Sequence, residues 1–371
     1  MPKEPQSIHG LDETAIWDAF CDRLKATGHA ALAAAPDDAF DRAEGLRYVA
    51  RLARGFLKDL VADAQPPRLP FVPGDWLKIG LDNPDYAYFG AKIEPGVRYV
   101  LRGCMGDAAR IGFGVYSGGL GTPTGLVCDD YVDSVDWLRD AATTAGPEAR
   151  FEIPIGPDVA QGRGLRTGPA TNNFNARITL LRRATDRLPE LELVHEGPLE
   201  KPPPLDPAAF TAGLDRVGRT LEGTVRQFLA WTQSFQAHRH AIREIDPALS
   251  AAAQGDPKTR YFYGYWEIGE DEAFVVDLEP PPCEYWNLQI GNHWLESFDF
   301  MRFETHVNAA TAVADERGRV RVVVARRDPG VPNWLDTAGH ARGGLALRWV
   351  GAEWIPDTKA RIVPLAELQR R

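Results

Sequence analysis

Residues 285–294, with the sequence YWNLQIGNHW, alternate apolar and polar side chains and predict the β-strand around which the last third of the chain folds. Successive side chains of a strand point to opposite faces of its sheet. The two faces would carry Trp286, Leu288, Ile290 and Trp294 on one side, and Tyr285, Asn287, Gln289 and His293 on the other. A polar face is ordinarily a solvent face, but amides beside Tyr and His also suit a ligand-binding face. The sequence leaves both interpretations open.

Further strand-like runs, bounded by Gly, Pro, Asn and Asp, occur in two parts of the chain. The first part holds 86–93, 98–102, 111–116, 151–155 and 176–181, and the second holds 273–278, 285–290, 320–325 and 345–350. Residues 315–318 predict a hairpin turn in the second part. Short strands at this spacing favour antiparallel sandwiches over a fold that alternates strands with helices.

Helical patterns precede and separate these two β regions. Asp12 is a suitable N-cap for a first helix, and a second amphipathic segment follows the break at Pro36. Asp206 and Pro207 predict the start of a long helix with an apolar stripe. That stripe consists of Phe210, Leu214, Val217, Leu221, Val225 and Phe228.

These patterns predict an α+β protein, mainly β, with two antiparallel β-sandwich or jelly-roll-like lobes, N-terminal helices and a long inter-lobe helix. Pro-rich stretches at 66–74 and 197–207 mark the boundaries. The predicted segments are an N-terminal helical segment at 1–65, a first β lobe at 66–200, a helical connector at 201–258 and a C-terminal β lobe at 259–371.

Composition and charge argue against several classes of protein. A formal net charge of −10 repels phosphate backbones, so nucleic acid is not expected as a partner. No stretch has the roughly 18–20 apolar residues of a membrane span, and residues 1–5 do not begin a signal peptide. Cys21, Cys104, Cys128 and Cys283 are isolated, without the CxxC spacing of a zinc site, and are expected to be reduced thiols. These features predict a cytoplasmic protein.

Several motifs of the C-terminal third match a known pattern. They comprise residues 283–289, Trp294, 297–299, Asn308, 328–337 and Arg348-Trp349. Together they resemble the bacterial domain-of-unknown-function family numbered twelve-fourteen, with the Asn-Trp-Leu-Asp-Thr core at 333–337 at the expected distance behind the Tyr-Trp strand. Residues 80–85 and 99–103 also look like the N-terminal half of longer members. The resemblance implies a β-sandwich or jelly-roll-like fold and no particular activity.

The same segments contain the candidate site residues. Proton transfer would fall to His340, Asp336 and His293, because an imidazole oriented by a carboxylate is a common acid or base. Ligand contacts would come from Trp286, Asn287, Gln289, Trp294, Arg302, Asn333 and Trp334. If these residues form one site, the loop at 333–340 should meet Asn287, Gln289 and His293 around a single pocket.

The loop also has a structural interpretation. Its Asp-Pro-Gly and Pro-Asn pairs are turn formers, Trp334 would close the end of the sandwich, and Asp336 would form an Asx turn.

Three hypotheses on function follow. The first is an enzyme that acts on a small, mainly apolar or sugar-like metabolite by cofactor-independent acid–base chemistry. The second is a noncatalytic small-molecule or carbohydrate-binding protein, which would use the same side chains. The third is a protein interaction module, whose strand edges would also permit a homo-oligomer. The sequence has no motif for a phosphate-binding loop or a serine nucleophile, and it predicts no metal site.

Overall fold

The computed structural model describes residues 12–61, 77–140, 147–148, 150–197 and 204–368. These residues form an α+β protein, mainly β, with four sheets arranged as two sandwich lobes, and this confirms the predicted fold class. Most of both Pro-rich boundary stretches lies outside the described residues.

The main helices begin where the sequence provides caps. Asp12 accepts the amide hydrogen of Ala15, and Asp206 accepts that of Ala208 with Pro207 in the first turn. The helices are α1 (Glu13–Ala34), α2 (Ala39–Val61), α3 (Ser134–Asp140), α4 (Pro207–Gln236), α5 (Pro247–Ala252) and α6 (Leu365–Leu368). The predicted stripe of α4 is buried except at Phe210; its middle part packs against α1 and α2, and Phe228 packs with Leu81 and Tyr263. In the described part of the chain, none of the helices has the length and apolarity needed to span a membrane.

The N-terminal lobe is a sandwich of two four-stranded sheets, with strand orders β1-β7-β3-β4 and β6-β5-β2-β8. Its strands are β1 (Tyr86–Lys92), β2 (Tyr99–Cys104), β3 (Arg110–Gly118), β4 (Leu126–Asp133), β5 (Arg150–Gly156), β6 (Leu165–Arg166), β7 (Thr171–Thr179) and β8 (Leu191–His195). Pairing is antiparallel except between β5 and β6. Alternate residues such as Ile111, Phe113 and Val115 form the apolar core between the sheets.

The C-terminal lobe has strand orders β13-β12-β16-β10-β9 and β15-β14-β11-β17. Its strands are β9 (Ile242–Glu244), β10 (Thr259–Glu267), β11 (Glu272–Leu278), β12 (Tyr285–Ile290), β13 (His306–Asn308), β14 (Val320–Ala325), β15 (Trp334–Asp336), β16 (Arg342–Val350) and β17 (Lys359–Pro364). Strand β9 lies within the predicted connector, yet it pairs with β10 and so extends the sheet of this lobe. Asp315 forms the predicted turn by accepting the amide hydrogens of Arg317 and Arg319.

Strand β12 has the predicted alternation of faces. Trp286, Leu288 and Ile290 lie in the core of the C-terminal lobe. The prediction was wrong for Trp294, because the strand ends at Ile290 and the following turn carries the indole away from that core. Trp294 packs instead with residues of α2 and α4.

Candidate acid–base site

The loop of residues 291–297 follows β12 and forms the centre of the site. Asn292 stabilises the loop, because its side-chain oxygen accepts the amide hydrogens of Trp294 and Glu296, each at 3.0 Å. The loop thereby presents His293 and Glu296 beside the helices.

Helix α2 fits closely over this loop. A β-carbon at Gly45 would lie 2.4 Å from the Trp294 ring, so only glycine allows the helix to approach so closely. The Trp294 indole donates a hydrogen bond to the Asp41 carbonyl at 3.0 Å, and Tyr48 stacks on the same indole. The first turns of α2 are therefore placed against the loop by both packing and hydrogen bonding.

Glu296 is a fully buried carboxyl group in this interface. It accepts hydrogen bonds from Arg51 at 2.8 Å and from the Asn292 amide at 2.9 Å. Burial raises its pKa, the charge of Arg51 and the bond from Asn292 oppose that rise, and the neighbouring Glu44 carboxylate adds to it. The balance favours the protonated form of Glu296 more than in water.

His293 is a buried imidazole whose ring already has partners. Its Nδ1 lies 2.7 Å from the Tyr265 hydroxyl, and the ring also hydrogen-bonds to the backbone of Ala34. Burial lowers the pKa of His293 to about 4, although the charge of Asp41 acts in the opposite direction. His293 is therefore neutral at pH 7 and fixed in orientation.

His340 differs from His293 in having one ring nitrogen free. Its ring lies between Phe40 and Phe298, with centroid distances of 4.6 Å and 4.5 Å. Nδ1 is 3.1 Å from the Thr337 carbonyl, so it carries the hydrogen, while the buried Nε2 has no hydrogen-bond partner among the described residues. Burial lowers the pKa of His340, and the backbone bonds to Thr337 and Ala338 and the charges of Glu44 and Asp41 only partly oppose this. The side chain is a neutral imidazole with an unused acceptor.

We call Asp41, Glu44, His293, Glu296 and His340 the acid–imidazole cluster. The negative charge of Asp41 acts on both imidazoles, and that of Glu44 acts on both His340 and Glu296. Residues from α2, from the 291–297 loop and from the end of the 328–340 segment thus share one electrostatic environment. Imidazoles with lowered pKa and a carboxyl with raised pKa are the combination that acid–base chemistry needs.

The polar row of β12 lies elsewhere, at the interface between the two lobes. The Gln289 amide donates to the Asp82 carbonyl at 2.9 Å, and the Asn287 amide donates to the Asn83 side chain at 2.8 Å. Arg348 donates to Gln289 at 2.6 Å and also to the Leu81 carbonyl. Asn287 and Gln289 are fully buried and hydrogen-bonded to other parts of the chain, so this face does not meet solvent.

Asp85 is a buried carboxylate that also anchors the interface between the two lobes. Asp85 accepts hydrogen bonds from the Tyr285 hydroxyl at 2.6 Å, from the Asn308 amide at 2.8 Å and from His306 at 3.0 Å. We call the set of residues 81–85, Tyr285, Asn287, Gln289 and Arg348, with His306 and Asn308, the interlobe network.

The predicted loop residues have the structural roles that the sequence offered as the alternative. Asn333 exchanges two hydrogen bonds with the backbone of Val313, each at 2.7 Å, and has a positive φ of 55°. The Trp334 indole donates to the Ala325 carbonyl at 2.9 Å, and Asp336 forms an Asx turn with the Ala338 amide. The prediction that Asn333, Trp334 and Asp336 meet the polar row in one pocket was therefore wrong; these bonds hold β15 at the edge of its sheet.

Three other predicted ligand-binding residues are dispersed. Trp286 packs on Trp349 in the lobe core at a centroid distance of 5.7 Å. Trp294 supports α2, and Arg302 is exposed beside Asp299 at 3.6 Å. Of the predicted site residues, only His293 and His340 enter the acid–imidazole cluster, together with Trp294 as its packing support.

Sequence reasoning missed the contribution of α2 to this site. Asp41, Glu44, Tyr48 and Arg51 recur at spacings of three and four residues, which places them on one face of a helix. Ionisable residues at these spacings were the available signal. Their partners lie some 250 residues away in the chain, for example across the 245 residues that separate Arg51 from Glu296.

Within the described ranges, no group of three or more His, Cys, Asp or Glu side chains is arranged to hold a metal ion.

Comparisons with known proteins find similar solved structures. No family model matches the chain, and no curated protein matches it. The chain is similar to an uncharacterized protein from Burkholderia cenocepacia, with 36% identity over 95% of this chain and 97% of that chain and a TM-score of 0.87. A protein from Vibrio parahaemolyticus shows 11% identity over 85% of this chain and 97% of that chain, with a TM-score of 0.47. The chain is thus a two-lobed β-sandwich protein. It belongs to the family of the Burkholderia cenocepacia protein.

Proposed function

We propose that the protein is a cytoplasmic enzyme that acts on a small, mainly apolar organic metabolite by acid–base chemistry, with His340 as the proton acceptor. The observation that carries this proposal is the free Nε2 of His340, a buried acceptor with no partner among the described residues. A buried polar atom without a hydrogen bond costs folding free energy, so its retention favours a functional role. We also propose that the protein is related to the twelve-fourteen family, because the motifs of its C-terminal third resemble that family.

The protonation states support the direction of proton transfer. Burial lowers the pKa of His340 and raises that of Glu296, so both groups are shifted toward their neutral forms. A neutral imidazole can accept a proton and later return it. In this proposal His340 accepts a proton from one atom of the substrate and returns it to another, so the ring is neutral again after each turnover. Glu44, whose charge acts on both groups, supports the cation that forms on His340.

The two phenylalanines around His340 indicate how a substrate would reach the imidazole and which kind of substrate would bind there. Phe298 is buried, whereas Phe40 is 45% exposed and lies in the first turn of α2. Rotation of Phe40 alone would uncover one side of the imidazole. A substrate that replaces Phe40 on the ring would need an apolar or aromatic portion, which is why we assign a mainly apolar metabolite.

The four cysteines support the cytoplasmic assignment. Cys21, Cys104, Cys128 and Cys283 are all free thiols, which is usual in a reducing compartment.

The test is turnover of an unfractionated metabolite extract, followed by untargeted mass spectrometry. We expect the unmodified protein and the control His238→Phe, a change at an exposed histidine, to consume the same compound, and His340→Phe to leave it unchanged. Equal consumption by His340→Phe would refute the role of His340. A compound that raises the melting temperature of the unmodified protein without being converted would favour the noncatalytic binding protein instead.

A further inference from the structure

A second site lies in a cleft where three elements meet, and its lining residues are distinct from the acid–imidazole cluster. One wall is α4, a second is Arg23 of α1, and the third is the loop of residues 119–125 between β3 and β4. The cleft has a volume of about 560 Å³, which lies within the range of small-molecule sites.

The loop forms a wall only because two glycines let it touch the helix. A β-carbon at Gly223 would lie 2.0 Å from the Gly121 carbonyl oxygen, and one at Gly121 would lie 2.7 Å from the Thr220 carbonyl oxygen. Gly121 also has a positive φ of 72°, which favours glycine. Thr122 and Thr220 line the cleft at this contact.

The cleft carries an excess of positive charge in a protein whose formal net charge is −10. Its lining includes four arginines and two acids: Arg23, Arg216, Arg219 and Arg226, with Asp215 and Glu222. The residues from α4 fall at spacings of three, four and seven, so the helix places them on one face. The formal charges of these six side chains therefore sum to +2.

The acids hold part of this arginine set in place without neutralising it. Arg23 bridges to Glu222 at 3.0 Å and to Asp215 at 3.8 Å, Arg219 is closely paired with Asp215, and Arg226 reaches Glu222 at 3.7 Å. Arg216 has no carboxylate partner among the described residues. An exposed set of guanidinium groups around a concave space, two of them free or weakly paired, suits an anion with several oxygen atoms.

We propose that this cleft binds a phosphorylated small molecule. Phosphate oxygens accept hydrogen bonds from arginine forks in several directions at once, which matches arginines that come from both α1 and α4. The ligand would bridge α1, α4 and the 119–125 loop. Binding there would stabilise the contact between the helices and the N-terminal lobe, independently of the chemistry at His340.

The experiment is isothermal titration calorimetry of the full chain with pyrophosphate. We expect one saturable site, and binding weaker by at least about tenfold in the double variant Arg216→Gln, Arg226→Gln, because two charge-assisted contacts are removed. The matched control is Arg163→Gln with Arg317→Gln, which removes the same charge from exposed positions outside the cleft. The control should bind like the unmodified protein.

Three outcomes would overturn the proposal. The first is an absence of saturable heat at millimolar pyrophosphate. The second is equal weakening in both double variants, which would mean a general effect of net charge. The third is citrate binding as tightly as pyrophosphate, which would remove the assignment to phosphate. Melting temperatures of all variants check that each protein is folded before titration.

Discussion

The interlobe network and the acid–imidazole cluster are both buried and polar, yet they differ in how their atoms are paired. In the interlobe network the side-chain amides of Asn287 and Gln289 and the Arg348 guanidinium are all engaged with neighbours. In the acid–imidazole cluster Nε2 of His340 has no partner among the described residues; in the interlobe network the same is true of Nδ1 of His306, whose Nε2 is bonded to Asp85. The other named polar side chains of the interlobe network are paired, as in a structural joint, whereas His340 is the residue at which we propose that a ligand binds.

The comparison shows why a prediction from residue type alone placed part of the site wrongly. Amides beside tyrosine and histidine suit a ligand pocket, but they suit equally well an interface in which another segment of the chain takes the place of the ligand. Residues 81–85 take that place here, through the carbonyls of Leu81 and Asp82 and the side chain of Asn83.

The largest effect on stability is expected from Arg348→Met. Removal of the guanidinium leaves the Gln289 oxygen and the Leu81 carbonyl buried without this donor, which should lower the free energy of unfolding by about 3 kcal/mol or more. Urea denaturation measures the change. The exposed control Arg302→Met should cost less than about 0.5 kcal/mol. Similar small losses in both variants would mean that the interlobe network is not a structural joint.

A pH-dependent effect of similar size is expected from His293. Its pKa falls from 6.5 to about 4 on folding, so the unfolded chain binds the proton more readily between these values. The contribution of His293 to stability is therefore full above about pH 6.5 and is lost as the pH falls toward 4, by roughly 3 kcal/mol in total.

The difference between two proteins isolates this contribution. His293→Gln retains hydrogen-bonding groups for Tyr265 and Ala34 but cannot titrate, so its free energy of unfolding should fall less than that of the unmodified protein over the same pH range. His238→Gln, at an exposed position, should follow the unmodified protein. Glu296 has the opposite sign, because its raised pKa favours the folded state as the pH falls, and it is common to all three proteins. Parallel curves for His293→Gln and the unmodified protein would contradict the shift.

A smaller loss is expected from Asn333→Ala. This change removes hydrogen bonds to Val313 and Arg321 and places alanine at a φ of 55°, for a cost of about 2 kcal/mol. Asn333→Gly removes the same bonds without the backbone penalty, so it should lower the free energy of unfolding by less. Thermal or urea denaturation measures both changes. Neither change should affect the protonation of His340. A change in the His340 pKa in either variant would show that the loop belongs to the site after all.

The smallest effect is expected from His340→Phe. A phenyl ring fits between Phe40 and Phe298, and the Thr337 carbonyl still accepts the backbone amide hydrogen of residue 340 at 3.0 Å. Removal of the unpaired Nε2 also relieves a cost, so stability should change by less than about 1 kcal/mol in either direction. A loss as large as that of Arg348→Met would show that His340 has a structural role.

Most of the fold could be predicted from the sequence, because it depends on local signals. The bounds of β12 and β14, the caps at Asp12 and Asp206, and the turn at Asp315 agree with the structure. Short edge strands such as β9 were not found, since three residues give no periodicity of their own.

The site could be predicted only in part, because it also depends on long-range packing. His293 and His340 were identified by residue type, and Glu296 lies three residues after His293. The contribution of Asp41 and Glu44 depends on how α2 packs on a loop some 250 residues later in the chain, as the hydrogen bond from Asn292 to Glu44 across 248 residues shows. Long-range packing of this kind leaves no spacing pattern that connects the two segments.

The central claim is that His340 is a neutral imidazole with its hydrogen on Nδ1 and a free Nε2. Long-range proton–nitrogen correlation spectra of the folded protein at pH 7, with His340→Phe used to assign the resonances, measure this directly. A neutral ring protonated at Nδ1, with a pKa below 6.5, is the predicted result. A ring protonated at both nitrogens, or one with its hydrogen on Nε2, would contradict the assignment of His340 as the proton acceptor.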